Sequence, residues 1–230
     1  MVSVIIPTLQ EEQYLPNLLT SISNQTYQNT ETIVSDSSPS ESKEAIRQLI
    51  DEWSGLINIK MVDSLPKNVS AGRNAGAANT SGEMLLFIDA DCIMEPDYIE
   101  KLVKDLENGA VLAHGLDCWY DNDLNNSIKS FYLWFKPRMH TTGRGVLIRK
   151  NDFDTLGGYR EDLDPYRSNL REDLDLGQRV EDYFGQGSVY LDKDAVLAES
   201  CRRPLLTAMD KVSWSHRGWR KGTTIDRRFM

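Results

Sequence analysis

The chain has 230 residues, 40% of them hydrophobic and 27% charged, which is long enough and apolar enough to bury a proper core. A net charge of -9 argues against general nucleic-acid binding, and no apolar stretch approaches the length that spans a bilayer. Cys92, Cys118 and Cys201 are odd in number and widely spaced, so they fit neither a disulfide framework nor a zinc site. Met1 leads directly into an apolar run without the parts of a signal peptide, and the expected location is cytoplasmic. The charge is unevenly spread: residues 201–230 carry eight Lys/Arg and two Asp/Glu, a balance of +6, which leaves -15 on the first 200. A basic end on an acidic body suits an anionic partner such as a phosphate, a pyrophosphate or a membrane surface met peripherally; a solvated tail is the plainer alternative.

In chain order, Val2 to Ile6 is a compact apolar run stopped by Pro7, hence a first strand. Leu15, Leu18, Leu19 and Ile22 then share one helical face. Thr32 to Ser35 predicts a second strand ending at Asp36, Ser42 to Trp53 a helix, and Ile57 to Val62 a third strand. The small-residue stretch Val69 to Asn79 predicts a helix that opens close to a ligand. A strand over Met84 to Ile88 follows, then a helix over Asp97 to Leu106 and a strand over Gly109 to His114. This alternation predicts an α/β fold with a mostly parallel, doubly wound central sheet flanked by helices. The second half is less regular. Asn125 to Phe135 reads as an aromatic-rich helix, Gly145 to Ile148 as a short strand, and Gly157-Gly158 as a turn. Arg171 to Phe184 reads as a helix with acids at its positive end. No repeat or linker divides the chain, so one domain is expected, with a nucleotide-binding half at 1–115, a second half at 116–200 and a basic segment at 201–230.

The central run, Met84 to Ile88, is nearly all apolar and ends in Asp89-Ala90-Asp91. A strand buried on both faces cannot hold two charges in the core, so the aspartates belong at its carboxyl end, where open α/β sheets bind ligands. Alternate residues of a strand point the same way, and two adjacent carboxylates repel unless a cation intervenes or one is protonated. A hard divalent ion, Mg²⁺ or Mn²⁺, resolves that repulsion; an Asp pair that only caps the next turn is the plainer alternative. Three more polar segments converge on the same edge: Pro7-Thr8 to Glu12, Asp36 to Ser40, and Asn68 to Gly76. Together they describe a nucleotide pocket.

The ordered set V-I-I-P-T-L-Q-E-E, I-V-S-D-S-S, N-V-S-A-G-R-N-A-G, D-A-D and R-E-D-L-D-L resembles glycosyltransferase family 2, whose fold is GT-A; the likeness covers about residues 2–185. The resemblance implies that Pro7, Thr8, Glu11 and Asp36 help hold a nucleotide, with Asp36 at the base and Arg73 and Asn74 lining it. Asp89 would face the ribose or metal-bound water, and Asp91 would ligate the metal on the donor diphosphate. Asp173 would be the catalytic base, with Glu172 beside it. His216 would complete the metal shell, and Arg217 or Arg220 would pair with phosphate. The chain departs from the family where Ser35-Asp36 replaces two adjacent aspartates, and that departure bears on which base is read. Trp119 and Trp134 suit stacking on an acceptor sugar or lipid, though aromatic residues at helical spacing also build cores.

The implied reaction is metal-dependent, inverting transfer of a sugar from a nucleotide sugar, expected to be UDP-linked, to a hydroxyl of a glycan or lipid-linked acceptor. The leaving diphosphate needs its charge neutralised, and the acceptor hydroxyl needs a carboxylate to take its proton. A nucleotidyltransferase would need a Gly-rich, Arg-containing loop where this chain has Pro7-Thr-Leu-Gln-Glu-Glu12, and a D-x-D phosphatase would need its motif after an early strand. A degenerate module that binds nucleotide or glycan without turnover is the non-enzymatic alternative.

Overall fold

A computed structural model describes residues 1–65, 68–119, 144–163 and 171–199. The expected helix at 125–135, with Trp134, and the basic segment with His216, Arg217 and Arg220 lie outside the described residues. Eight strands and six helices follow one another in the order β1 (Val2–Thr8), α1 (Leu15–Ser23), β2 (Thr30–Asp36), α2 (Ser40–Trp53), β3 (Ile59–Asp63), α3 (Val69–Ala78), β4 (Met84–Phe87), β5 (Cys92–Met94), α4 (Tyr98–Glu107), β6 (Leu112–Trp119), β7 (Val146–Arg149), α5 (Lys150–Thr155), α6 (Glu172–Phe184) and β8 (Val189–Glu199), counted among the described residues.

The strands form one sheet in the order β3-β2-β1-β4-β7-β6-β8-β5. From β3 to β4 every pairing is parallel. The side-chain alternation of a strand then divides the core in two. Val4, Ile6 and Leu86 face α1, α2 and α4 on one side, where Leu18, Ile46 and Leu102 are fully buried. Ile5, Leu85 and Phe87 face the other side, against Ala77 of α3, Phe153 of α5, Tyr159, and Leu176 and Val180 of α6. With both faces covered, β1 and β4 are buried almost throughout, whereas the edge strand β3 still exposes Lys60. The strand ends are in register: Thr8 pairs with Asp36, and Asp36 with Asp63.

The parallel pattern stops at β4. The short strand expected at Gly145 lies between β4 and β6 and runs antiparallel to both. Two strands were not expected at all. β8 pairs in parallel with β6 but skips from Asp192 to Val196 opposite Gly115 and Leu116, so Asp192-Lys193-Asp194 interrupts its apolar pattern. A Cβ on Gly115 would lie 2.3 Å from the Ala195 carbonyl oxygen, which shows how closely that bulge presses on β6. β5 has only three residues and pairs antiparallel with β8 at the sheet's edge. Among the described residues no helix is long and apolar enough to cross a membrane.

The small-residue helix α3 begins at Asn68, whose side-chain oxygen accepts from the Ala71 amide at 3.0 Å. Its glycines lie against β1. A Cβ on Gly72 would come within 3.1 Å of Pro7 Cβ, and one on Gly76 within 2.4 Å of Ile5 Cγ2. Ile5 is fully buried and cannot yield. Gly76→Ala therefore forces the helix off the sheet, and denaturant unfolding is expected to show a loss of about 1–3 kcal/mol. An unchanged midpoint would mean that the helix has room to spare.

Candidate active site

The carboxyl ends of β1, β2 and β4 lie along one sheet edge, and the polar residues there form two clusters. The first is built on Asp36, the last residue of β2. Its carboxylate is fully buried and accepts from the Thr8 hydroxyl at 2.8 Å, the Ser38 hydroxyl at 2.6 Å and the Ser38 amide at 3.2 Å. The Ser37 amide and hydroxyl both donate to the Thr8 carbonyl at 3.0 Å. The Gln10 amide donates to the Ser38 hydroxyl at 2.8 Å, from a residue held at φ 58°. The loops after β1 and β2 are thus laced together through Asp36. Lys43 Nζ, at the start of α2, stands 2.7 Å from Asp63 and 3.9 Å from Asp36. Pro7 and Glu11, in and after β1, are half-buried. The neighbouring Glu12 accepts from the Ser42 hydroxyl, which holds its carboxyl below the usual range.

The second cluster joins the end of β4 to the start of α6. Arg73, on α3, is buried to 2% exposure and donates from Nη2 to Asp89 Oδ1 at 2.9 Å and from Nη1 to Glu172 Oε1 at 3.0 Å. Its guanidinium carbon lies 5.1 Å from the centre of the Tyr159 ring. Arg144 Nε lies 3.7 Å from the other oxygen of Asp89. Burial pushes against the charge on both Arg73 and Asp89, but their mutual attraction outweighs it: the arginine pKa is raised and the carboxyl is held below its usual range. Burial, chiefly, raises the Tyr159 phenol.

α6 opens with Glu172, Asp173 and Asp175 in its first turn, all buried, where the positive end of the helix favours them. Asp173 Oδ1 accepts from the Leu174 amide at 2.7 Å, and Arg171 Nη2 lies 3.3 Å from its Oδ2. Asp175 is paired with Arg179 at 2.7 Å. Arg179 also donates to the Leu156 and Gly158 carbonyls, at 2.8 and 2.9 Å, and so ties α6 to the Gly157-Gly158 turn. Both glycines adopt positive φ, 77° and 74°, and a Cβ on Gly158 would meet Asn74 Oδ1 at 2.9 Å.

The residues singled out in the sequence therefore divide. Thr8 and Asp36 touch each other, and Arg73 touches Asp89 and Glu172. Asn74 is turned to the turn beyond α5: its amide donates to the Tyr159 carbonyl at 2.8 Å and to Glu161 Oε1 at 3.0 Å, and its oxygen accepts from the Tyr159 amide at 2.9 Å. Trp119 ends β6, and its side chain lies outside the described residues. Arg144, Tyr159 and Arg171 belong to the site and were not singled out. Arg144 and Tyr159 carry no pattern, Arg171 stands only as the opening residue of R-E-D-L-D-L, and the adjacent Gly157-Gly158 marks an unusual turn.

β4 stops at Phe87, and the Cys92 amide donates to the Asp89 carbonyl at 3.2 Å, closing a turn over Asp89–Asp91. The strand rule that would set both aspartates side by side does not apply there. Asp89 is neutralised by guanidinium groups, and among the described residues no three His, Cys, Asp or Glu side chains form a metal cluster. Asp91 is half-exposed in that turn, and a carboxylate oxygen is the donor type that a hard divalent ion takes.

The sheet and its flanking helices have the GT-A fold, as the solved structures below show. Residues 3–160 match the family described as Glycosyl transferase family 2, and the chain belongs to that family. It is 28% identical over 231 residues to "Glycosyltransferase GlyA" of Streptococcus pneumoniae, covering 94% of this chain and 32% of that protein. It is 28% identical over 221 residues to "Validoxylamine A glucosyltransferase" of Streptomyces hygroscopicus subsp. limoneus, covering 78% and 48%. Among solved structures, the Pyrobaculum calidifontis mannosyltransferase in complex with GDP-Man and Mn²⁺ superposes with a TM-score of 0.69 at 20% identity, covering 94% of this chain and 61% of that one. Staphylococcus aureus TarS 1-349 in complex with UDP-GlcNAc gives 0.68 at 17% identity, covering 89% and 59%. The chain spans about a third of the pneumococcal relative and about half of the streptomycete one.

The Asp36 knot has a measurable consequence. Asp36→Ala leaves Thr8 and Ser38 donors buried without their acceptor, and a stability loss of about 1–3 kcal/mol is expected in denaturant titration. A loss below about 0.5 kcal/mol would mean that the loops hold without the carboxylate.

Proposed function

We propose that this chain transfers a sugar from a nucleotide sugar, UDP-linked in the first instance, to a hydroxyl of a glycan or lipid-linked acceptor, with inversion at the anomeric carbon. The observation that carries the reading is the pairing of two acid sets across one edge: Asp89 at the end of β4, and Glu172-Asp173 at the start of α6, joined through Arg73. One set lies where a donor binds in an open α/β sheet; the other offers a carboxylate to an incoming hydroxyl. Membership in family 2 supports transferase chemistry. The fold neighbours that bind UDP-GlcNAc and GDP-Man support a nucleotide-sugar donor.

In this reading Pro7, Thr8, Glu11 and Asp36 form the nucleoside side of the pocket, and Asp89 borders the ribose. Asp91 would hold a divalent ion, Mn²⁺ or Mg²⁺, which would neutralise charge on the leaving diphosphate as a Lewis acid. The acceptor oxygen attacks the anomeric carbon while the bond from that carbon to the phosphate oxygen breaks. Asp173 takes the proton released from the acceptor hydroxyl. A single displacement of this kind inverts the configuration, and no enzyme-bound sugar is formed. The diphosphate leaves with the electron pair of the broken bond. Glu172 stands beside the base and is itself anchored to Arg73.

The experiment is calorimetric titration of UDP, GDP, CDP and ADP, each with Mn²⁺ and with EDTA. Tight, Mn²⁺-dependent binding of one nucleotide is expected, and absence of binding to all four would favour the degenerate module. With the matching nucleotide sugar, Asp173→Asn is expected to lower kcat by about 10²–10⁴-fold, the usual range for general base catalysis, with nucleotide affinity kept. Full turnover in that variant would assign the base elsewhere.

A further inference from the structure

We propose that Arg73 is a positioning residue: it clamps the acid-bearing start of α6 to the end of β4, setting Asp173 against the donor, and does not itself bind the nucleotide. The inference rests on the transfer reaction proposed above. It differs from the role that the family resemblance implies, in which Arg73 lines the nucleotide.

Three features of the structure carry it. First, Arg73 is only 2% exposed and lies inside the seam between β4 and α6, buried as deeply as Asp173. Second, its two terminal nitrogens are each committed to a carboxylate, Nη1 to Glu172 at 3.0 Å and Nη2 to Asp89 at 2.9 Å. A planar guanidinium holds its donors in a fixed fork, so two acids bound to different arms are set at a fixed separation. Third, the helix that bears Arg73 is itself immobilised. Gly72 and Gly76 press α3 onto β1, Asn68 caps it and donates to the Glu161 carbonyl at 2.9 Å, and Asn74 grips both backbone polar groups of Tyr159. The adjacent pair Arg73-Asn74 thus fastens α6 and the turn at 157–161 to the parallel half of the sheet. Asp173 directly follows Glu172, so the clamp on Glu172 fixes where the base stands.

Lysine tests the fork, because a single ammonium cannot reproduce two arms on two acids. In Arg73→Lys, kcat for the nucleotide sugar is expected to fall at least about tenfold, since small misplacements of a reacting group are that costly. The donor KM and the Kd for UDP, or for whichever of GDP, CDP or ADP the wild type binds, should stay within about twofold by the same split of kinetic effects. A rise of about tenfold or more in nucleotide Kd, with kcat kept, would show instead that Arg73 is a ligand. The double variant Arg73→Lys/Glu172→Gln should be no slower than the slower single variant, because parts of one unit are not additive; losses that multiply would overturn the clamp. If Arg73→Lys fails to fold, Glu172→Gln carries the test: kcat falling with UDP affinity kept supports the clamp, and both unchanged overturns it. A wild type that binds no nucleoside diphosphate would sink the transfer reading itself, whereas an active wild type with a fully active Arg73→Lys sinks only the clamp.

Discussion

Burying three acids in one helical turn is possible here only because guanidinium groups meet them. Glu172 has Arg73, Asp173 has Arg171, and Asp175 has Arg179 with Arg160 at 3.7 Å. The helix dipole adds to this, but its contribution of about 0.3–1 kcal/mol is small beside the several kcal/mol needed to take an ion out of water. Removing one partner of a buried pair typically costs about 3–5 kcal/mol, because the other is left charged and unsolvated. The start of α6 is therefore held in place by its countercharges rather than by its apolar face alone, and those countercharges come from α3, from the approach to α6 and from its own second turn.

The strand order explains why this cluster lies beside the Asp36 knot. β1 connects through α1 to β2 on one side, and β3 returns through α3 to β4 on the other. α1 packs into one half of the core and Ala77 of α3 into the other. The chain thus changes direction between β1 and β4, which is where open α/β sheets leave a crevice at their carboxyl edge. Thr8 and Asp36 border that crevice from one side and Asp89 from the other. Tyr159 lies T-shaped against Phe87 at 5.0 Å, with the Arg73 guanidinium over its ring.

Much of the parallel half was legible in the sequence because its strands are short apolar runs that end in polar punctuation. Pro7, Asp36 and Asp89 each mark where an apolar or mostly apolar run ends, and hydrophobic periodicity marks α1, α2 and α4. β8 was not legible, since its bulge places Asp192, Lys193 and Asp194 inside a strand and breaks the alternation. β5 is too short to leave a pattern. The motifs R-N and E-D pointed to the right neighbourhood, but not to each other: Arg73 and Glu172 are separated by 99 positions, and nothing local encodes which carboxylate an arginine will reach. The direction of Asn74 was equally hidden, because it depends on Gly157 and Gly158 bringing the Tyr159 backbone beneath it.

The glycines of α3 and the ion pairs of Arg73 are one constraint. Gly72 and Gly76 are four residues apart and share a helical face, the face pressed onto Pro7 and Ile5. Arg73 lies about 100° around the helix from Gly72, beside that seam, so its reach begins close to the sheet. A larger residue at Gly76 displaces the axis outward, and a hydrogen bond of 2.9–3.0 Å tolerates little of that displacement before it is lost. The small-residue stripe, which on its own would be ordinary packing, is what lets a charged side chain start deep enough to end between two acids. In this chain, close backbone approach and charge placement are set by the same four residues of one helix, Gly72, Arg73, Asn74 and Gly76.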